Sequence, residues 1–380
     1  MALDLKELQK ALAKQKVYDA WQYVESLNET LSYMNVSYEL IEKVYNHRLK
    51  TFSKIEDEFI KTARAEGKAS LRKDALDETD LIIAGLNIDS SMFLSKTILE
   101  FFHYARTSME ILFQIINAAL FGDSAIDVNE RNFPNKISRV LDRNLIFQDL
   151  NNLLRNNKNN NSFKYLQGFD NYIKHIKTIL ITIKNSILFD NANEFLINEF
   201  LYNGILYPSE NAINKVFEIK NYVMQTIESV LLEVQKQIPN CLDNSKRIQT
   251  LSYRIIGKEL EKGFSIDYIS FFIDVDDNIS ELPTEIKVYP LIIKPNNEIY
   301  SYNFKFNTIF IKKRGCGEQS ILGYAKLKNV SPTNEFYQVF DIFPCVISEY
   351  HKYILDFKKN YSNIHLDFRA MEGEILFNKD

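Results

Sequence analysis

The chain has 380 residues, 46% of them hydrophobic and 25% charged, which is the balance of a folded protein and excludes an intrinsically disordered one. A net charge of −4 excludes a global attraction to nucleic acid or anionic lipid, so any such binding needs a local patch. With 11 Gly and 8 Pro against 27 Phe and 21 Tyr, long helices are favoured over a turn-rich sandwich.

The first predicted element is a helix from Leu3 to about Met34. Its apolar residues Leu5, Leu8 and Leu12, then Val17, Trp21, Val24, Leu27, Leu31 and Met34, recur at helical steps. Asn35 to Ser37 reads as a break, with Ser37 as the cap of a second helix running to about Ala65. Two such helices predict an antiparallel hairpin. Glu66 to Asp89 is charged, carries Gly67 and Gly85, and reads as a connecting loop with at most one short helix. Ser95 to Phe121 is the strongest helical pattern, closed by Gly122 and apolar nearly all round, which places it centrally in a bundle. Arg106 is the main charge in its middle, with Glu110 one turn on.

Phe133-Pro134 opens a further helix. The Asn-rich run Asn151 to Asn161 competes with its own backbone for hydrogen bonds and is predicted to be a mobile loop. Phe163 to Ile187 follows as a helix, Asn191 to Leu206 continues helical, and Tyr207-Pro208-Ser209-Glu210 starts a long helix to about Gln237. Ile238-Pro239-Asn240 ends that helix, and Ser245 to Lys262 is read as one more. After Gly263 the apolar period changes from near 3.6 to 2. Strands are predicted over Phe264–Val275, Glu285–Lys294, Glu298–Phe306, Thr308–Lys313 and Ile321–Lys328. Phe343 to Lys359 returns to helix, and Asn363 to Asn378 is a mixed ending.

The expected fold class is mainly α with a C-terminal α+β part: a helical bundle followed by a small antiparallel sheet domain. The expected domains are a helical hairpin and linker at 1–90, a bundle at 91–245, and an α+β domain at 246–380. Three cysteines, at 241, 316 and 345, make neither a disulfide framework nor a zinc pattern. Met1 to Gln15 lacks the apolar core of a secretion signal, and no apolar run is long enough to span a bilayer. The expectation is a soluble, cytoplasmic chain with no membrane association.

Standard catalytic motifs are absent. Gly315-Cys316-Gly317-Glu318 lacks the Lys-Ser/Thr ending of a phosphate loop, and there is no G-x-S-x-G or H-E-x-x-H. The histidines at 47, 103, 175, 351 and 365 lack metal-ligand spacing, so no metal and no cofactor is expected. Lys312-Lys313-Arg314 reads as a solvated basic turn. One polar cluster stands out: Asp170, Asn171, Lys174, His175 and Lys177 fall within about two helical turns. Asn171 and His175 share a face, beside an Asp170–Lys174 pair.

The run Asp170-Asn171-Tyr172-Ile173-Lys174-His175 resembles the signature region of HEPN domains, small helical bundles. Their hallmark is an Arg followed after four to six residues by His, often with a polar residue straight after the Arg. Asn171 and His175 match the polar residue and the His, while Asp170 stands where the Arg is expected. The apolar helix around Ala105-Arg106-Thr107-Ser108-Met109 resembles the helix that packs beside the motif in some HEPN groups. The resemblance covers about residues 95 to 190. It implies metal-independent RNA cleavage at a homodimer interface, in toxin or phage-defence settings, or else an inactive scaffold that holds RNA or a protein partner. Imidazole can move the 2′-hydroxyl proton near neutral pH, and a nearby cation stabilises the transition state. With the Arg absent, Lys174, Lys177 or Arg106 would have to be that cation. The expected catalytic set is therefore His175, Asn171, Lys174 and Arg106, facing one cleft that accepts a phosphodiester or another anion. The rival reading has Arg106 paired with Asp170 or Glu110 as a structural salt bridge.

A second resemblance lies in the sheet. Glu285-Ile286-Lys287, with Asp274, Asp276 and Asp277 ahead of it, resembles the D…(D/E)-x-K arrangement of a large nuclease superfamily. There the acids hold Mg²⁺ and the Lys orients water. The alternative is an ordinary solvent-facing strand.

Overall fold

The computed structural model describes residues 4–14, 17–69, 80–184 and 194–242. Beyond these it describes 251–260, 263–275, 282, 284–289, 291–293, 299–301, 308–313, 321–328, 338–344, 365–367 and 376–379. Contacts divide the chain into two compact units. The first comprises Met1–Leu5, Tyr23–Asn117 and Ile126–Gln237. The second comprises Lys6–Gln22, Ala118–Ala125 and Ile238–Asp380. The fold is mainly helical, with sheet in its C-terminal part.

Helix α1 spans Leu5–Lys14 and α2 spans Tyr18–Glu66, a single helix of 49 residues where a hairpin of two was expected. Its buried stripe Leu27, Leu31, Met34, Tyr38 and Ile41 passes straight through the expected break at Asn35–Ser37. A cap contributes about 1 kcal/mol, less than a continuous buried face of large side chains. The hydroxyls also turn inward: Thr30 donates to the Ser26 carbonyl at 2.7 Å and Ser32 to that of Asn28 at 2.8 Å. The expected loop at 66–89 contains a hairpin, β1 (Leu81–Ile83) and β2 (Leu86–Ile88), turned by Ala84 (φ 50°) and Gly85 (φ 82°).

Helix α3 is Ser90–Leu120, and α4 is Phe133–Arg143 with Pro134 in its first turn. The Asn-rich tract is helical rather than a loop: α5 spans Gln148–Asn159, because Leu150, Asn151 and Leu154 form a buried stripe. The loop chemistry of asparagine is confined to Asn160. This residue is extended and accepts a bond from the Ser162 amide at 2.8 Å, capping α6 (Asn161–His175).

Helix α6 stops at His175, twelve residues short of the predicted end. Strands β3 (Ile181–Lys184), β4 (Glu194–Ile197), β5 (Phe200–Tyr202), β6 (Ile205–Tyr207) and β7 (Glu210–Asn211) follow where more helix was expected. In β4 burial alternates, with Phe195 and Ile197 inward. Asn203 (φ 50°) and Gly204 (φ 77°) close the β5–β6 hairpin as a two-residue turn. Helix α7 (Ala212–Gln237) then runs as predicted and ends at Ile238-Pro239-Asn240.

In the second unit, β8 (Leu251–Leu260) replaces the helix expected at 245–262, because it pairs along its length with β9 (Gly263–Val275). The remaining strands are β10 (Glu285–Tyr289), β11 (Leu291–Ile293), β12 (Ile299–Ser301), β13 (Thr308–Lys313), β14 (Ile321–Leu327), β15 (Gln338–Pro344), β16 (His365–Asp367) and β17 (Leu376–Lys379). Among the described residues, β8, β9 and six of these form one sheet, ordered β16-β8-β9-β13-β14-β15-β10-β17, while β11 and β12 pair apart. Every neighbouring pair of the sheet is antiparallel except β9 and β13, which run parallel. Ile309, Phe310, Ile311, Ile321, Ala325 and Phe340 are buried in it. Lys312 and Lys313, expected in a turn, belong to β13. The expected helix at Phe343–Lys359 begins inside β15; its remainder, the Gly315–Glu318 run, Arg314, Cys316, Cys345 and His351 lie outside the described residues.

Candidate functional site

In the first unit, α3 and α6 pack through aromatic rings. Phe102 stacks on Phe169 with centroids 3.9 Å apart, and Tyr165 lies 5.9 Å from Phe102. Phe200 and Tyr207, carried by the β5–β6 hairpin, stack 4.6 Å apart, and each also meets the Tyr165 ring edge-on. Tyr207 donates its hydroxyl to the Lys164 carbonyl at 3.1 Å, over Gly168. A Cβ at 168 would lie 2.7 Å from that ring, so only glycine admits it. Burial, followed by the charges of Glu210 and Glu218, pushes the Tyr165 phenol far above its ordinary range. Beside this cluster the Lys215 ammonium is 2.7 Å from both Glu210 and Glu218 and 4.6 Å from the Tyr165 ring centre. Burial opposes its charge, but the two carboxylates outweigh it and the net shift is upward.

Directly after Phe169 of the aromatic cluster stands Asp170, with 5% of its side chain exposed. The Lys174 ammonium is 2.8 Å from its Oδ2, and His103 Nδ1 is 3.8 Å from its Oδ1. The lysine contact is a charge pair rather than a directed hydrogen bond, since no donor reaches Oδ2 in hydrogen-bonding geometry. Asn171 is half-buried, while Lys174, His175 and Lys177 are exposed around the end of α6. His175 has no hydrogen-bonding partner among the described residues, so nothing there fixes its tautomer.

Arg106 lies elsewhere. Its side chain is 12% exposed, its Nη2 is 3.2 Å from Glu110 Oε1, and its guanidinium sits 5.6 Å from the Phe163 ring centre. Its Nε–H is enclosed and has no acceptor among the described residues. Arg106 lines a cleft of about 420 Å³ together with residues of α4 to α7. Asn171, Lys174 and His175 are not among the lining residues. The expected single cleft is thus two places: an α6 end carrying Asn171, Lys174 and His175, and a separate cleft carrying Arg106. Of the two rival partners for Arg106 the structure selects Glu110, and Asp170 is taken by Lys174.

The cleft's other polar residues were hidden by reading 151–161 as a loop. Arg155 Nη2 is 2.5 Å from Asp142 Oδ1, and Asn151 donates to the same oxygen at 2.5 Å. The bond from Asn151, the largest influence, outweighs burial, and with the bond and charge of Arg155 it holds the Asp142 carboxyl below its ordinary value. Lys158 donates to Asn135 Oδ1 at 3.3 Å, and Thr226 to Asn157 Oδ1 at 3.2 Å. The sequence signal was the Leu150, Leu153 and Leu154 spacing.

Among the described residues, Asp274 does not join Glu285 and Lys287 in a D…E-x-K arrangement. Strands β13, β14 and β15 lie between β9, which carries Asp274, and β10, which carries Glu285 and Lys287. Four strand spacings separate them by roughly 19 Å; Asp276 and Asp277 lie outside the described residues. Among the described residues no group of three or more His, Cys, Asp or Glu is placed to hold a metal ion, and no helix is long and apolar enough to cross a membrane. Comparison with family models, with curated proteins and with solved structures finds no match.

Proposed function

We propose that the chain is a HEPN-like, RNA-associated module that binds rather than cleaves, of the kind used in toxin or phage-defence systems. The observation that carries the reading is Asp170. A buried carboxylate occupies the position where the resemblance calls for a cation, and the nearest cation, Lys174, neutralises it at 2.8 Å. That geometry ties up Lys174, the cation next to His175, and makes the position of the motif Arg negative where a developing phosphorane needs positive charge. The unrestrained imidazole of His175 points the same way, since acid–base catalysis needs an oriented ring. The exposed Lys174, His175 and Lys177 at the end of α6 offer a small basic strip for a phosphate backbone. The resemblance adds assembly as a homodimer.

The test is overexpression in a growth assay, paired with incubation of the purified full chain with RNA. The reading expects intact RNA and equal growth for the native protein and His175→Ala. Growth arrest and RNA cleavage that both vanish in His175→Ala would replace it with a metal-independent endoribonuclease.

A further inference from the structure

The cleft beside Arg106 has unused binding capacity that neither the fold nor the α6 strip accounts for. Its size, about 420 Å³, is that of small-molecule sites. Met109, Leu112, Phe113 and Leu154 give it an apolar lining. Three cations (Arg106, Arg155, Lys158) face two carboxylates (Glu110, Asp142), which leaves one positive charge in excess. Both carboxylates are already tied to arginines.

The carboxamides around the cleft are under-used. Asn132 sits in the left-handed region at φ 61° at the start of α4, yet its side chain makes no cap bond. Gln167 is exposed and has no hydrogen-bonding partner among the described residues. Asn135 and Asn157 spend their carbonyl oxygens on Lys158 and Thr226, which leaves their NH₂ donors. The Arg106 guanidinium, 12% exposed, has as its charge partner Glu110, which is itself 46% exposed. Guanidinium groups recognise oxyanions through paired donors, and carboxamides recognise groups that carry a donor beside an acceptor.

We infer that this cleft binds a small organic monoanion of about mononucleotide size, with one phosphodiester or carboxylate on a body that presents both hydrogen-bond donors and acceptors. The excess of one positive charge sets the single negative charge. Arg106 and Lys158 receive the anion, and Asn132, Asn135, Asn157 and Gln167 receive the body. The site does not depend on RNA binding at the end of α6.

Calorimetric titration of the full chain tests it with two probe families, 3′,5′-cyclic mononucleotides of the four bases and N-acetyl amino acids. Uncharged nucleosides and N-acetyl amino acid amides are the controls. One family should bind with submillimolar affinity, and its uncharged counterpart about tenfold or more weakly. Arg106→Gln and Lys158→Glu should each weaken that binding at least about tenfold. Lys158 is exposed, so its variant stays informative if Arg106→Gln fails to fold. Lys158→Glu should leave RNA binding unchanged, which separates failure of this inference from failure of the RNA reading. No binding of either family up to about 5 mM overturns the inference. So does binding that is indifferent to charge or to Lys158→Glu.

Discussion

Asp170 decides more than any other single residue. A carboxylate with 5% exposure is costly unless a cation stays with it, and Lys174 is that cation. Lys174→Ala should therefore destabilise the protein by about 1–2 kcal/mol, moderated because the lysine is 41% exposed. Asp170→Asn combined with Lys174→Ala should recover much of that loss, since no buried charge remains. His175→Ala, at an exposed and unbonded position, should shift the melting temperature by less than about 0.5 kcal/mol equivalent. Thermal melts of the four proteins check all three statements; equal losses in Lys174→Ala and His175→Ala would contradict the pairing. The sequence made the Asp170–Lys174 pair legible, because four residues is one helical turn. It left the partner of Arg106 open, since α3 offered Glu110 and α6 offered Asp170 at plausible distances.

Among the elements, the contact between α6 and the β5–β6 hairpin depends on the missing side chain at 168. Gly168→Ala would drive a methyl group into a Tyr207 ring already fixed by Phe200, Tyr165 and the Lys164 carbonyl. Overpacking of this kind costs about 1–3 kcal/mol, so a lower urea midpoint with an unchanged slope is expected. Lys215→Ala should cost a comparable amount by releasing Glu210 and Glu218, the latter of which also accepts from Ser162 at 2.7 Å.

The same scale explains what the sequence concealed. The Tyr202-Asn203-Gly204-Ile205 run is a strong hairpin signal, but its strands are three residues long and their Ile-Leu-Tyr composition also suits a helix. The break expected at Asn35–Ser37 rested on capping chemistry, which a continuous buried face overrode. The loop reading of the Asn-rich tract rested on asparagine's local preferences, which the buried stripe of Leu150, Asn151 and Leu154 overrode. The strand β8 draws its pairing from β9, the strand that follows it in the chain, and that pairing overrides the helical reading of 245–262.

For the whole molecule, acid and alkali should act through different groups. Glu233 is held below its ordinary 4.5 by a bond from Gln237, against burial, and then by Lys236. Burial raises Glu218, but bonds from Lys215 and Ser162 outweigh it and the net shift is downward. Asp142 is likewise below its ordinary 3.8. Depressed carboxylates stabilise fully above their unfolded values and lose that contribution as pH falls through their folded ones. Melting temperature should therefore drop as pH is lowered below about 4.5. On the alkaline side, Tyr38 is pushed from 10.0 up to about 12 by burial and by its bond to Glu42, and Lys215 is raised above 10.5. Raised values stabilise below the unfolded pKa, so this contribution fades as pH climbs above about 10. A melt series across pH should show a plateau between these limits; a maximum in acid would contradict the network. Light scattering should return twice the 44.5 kDa chain mass for the proposed homodimer, and the monomer mass at micromolar concentration would count against it.

The most direct measurement is the affinity of the full chain for a labelled single-stranded RNA, followed by anisotropy as salt is raised, with the RNA then run on a gel. Binding is expected to weaken as salt is raised, with a log–log slope of about −0.7 for each lysine that contacts a phosphate of the single strand. Loss of that binding is expected in the His175→Ala, Lys177→Ala double variant, with RNA recovered at full length. Absence of binding at low salt, or cleavage that depends on His175, would contradict the RNA-binding reading.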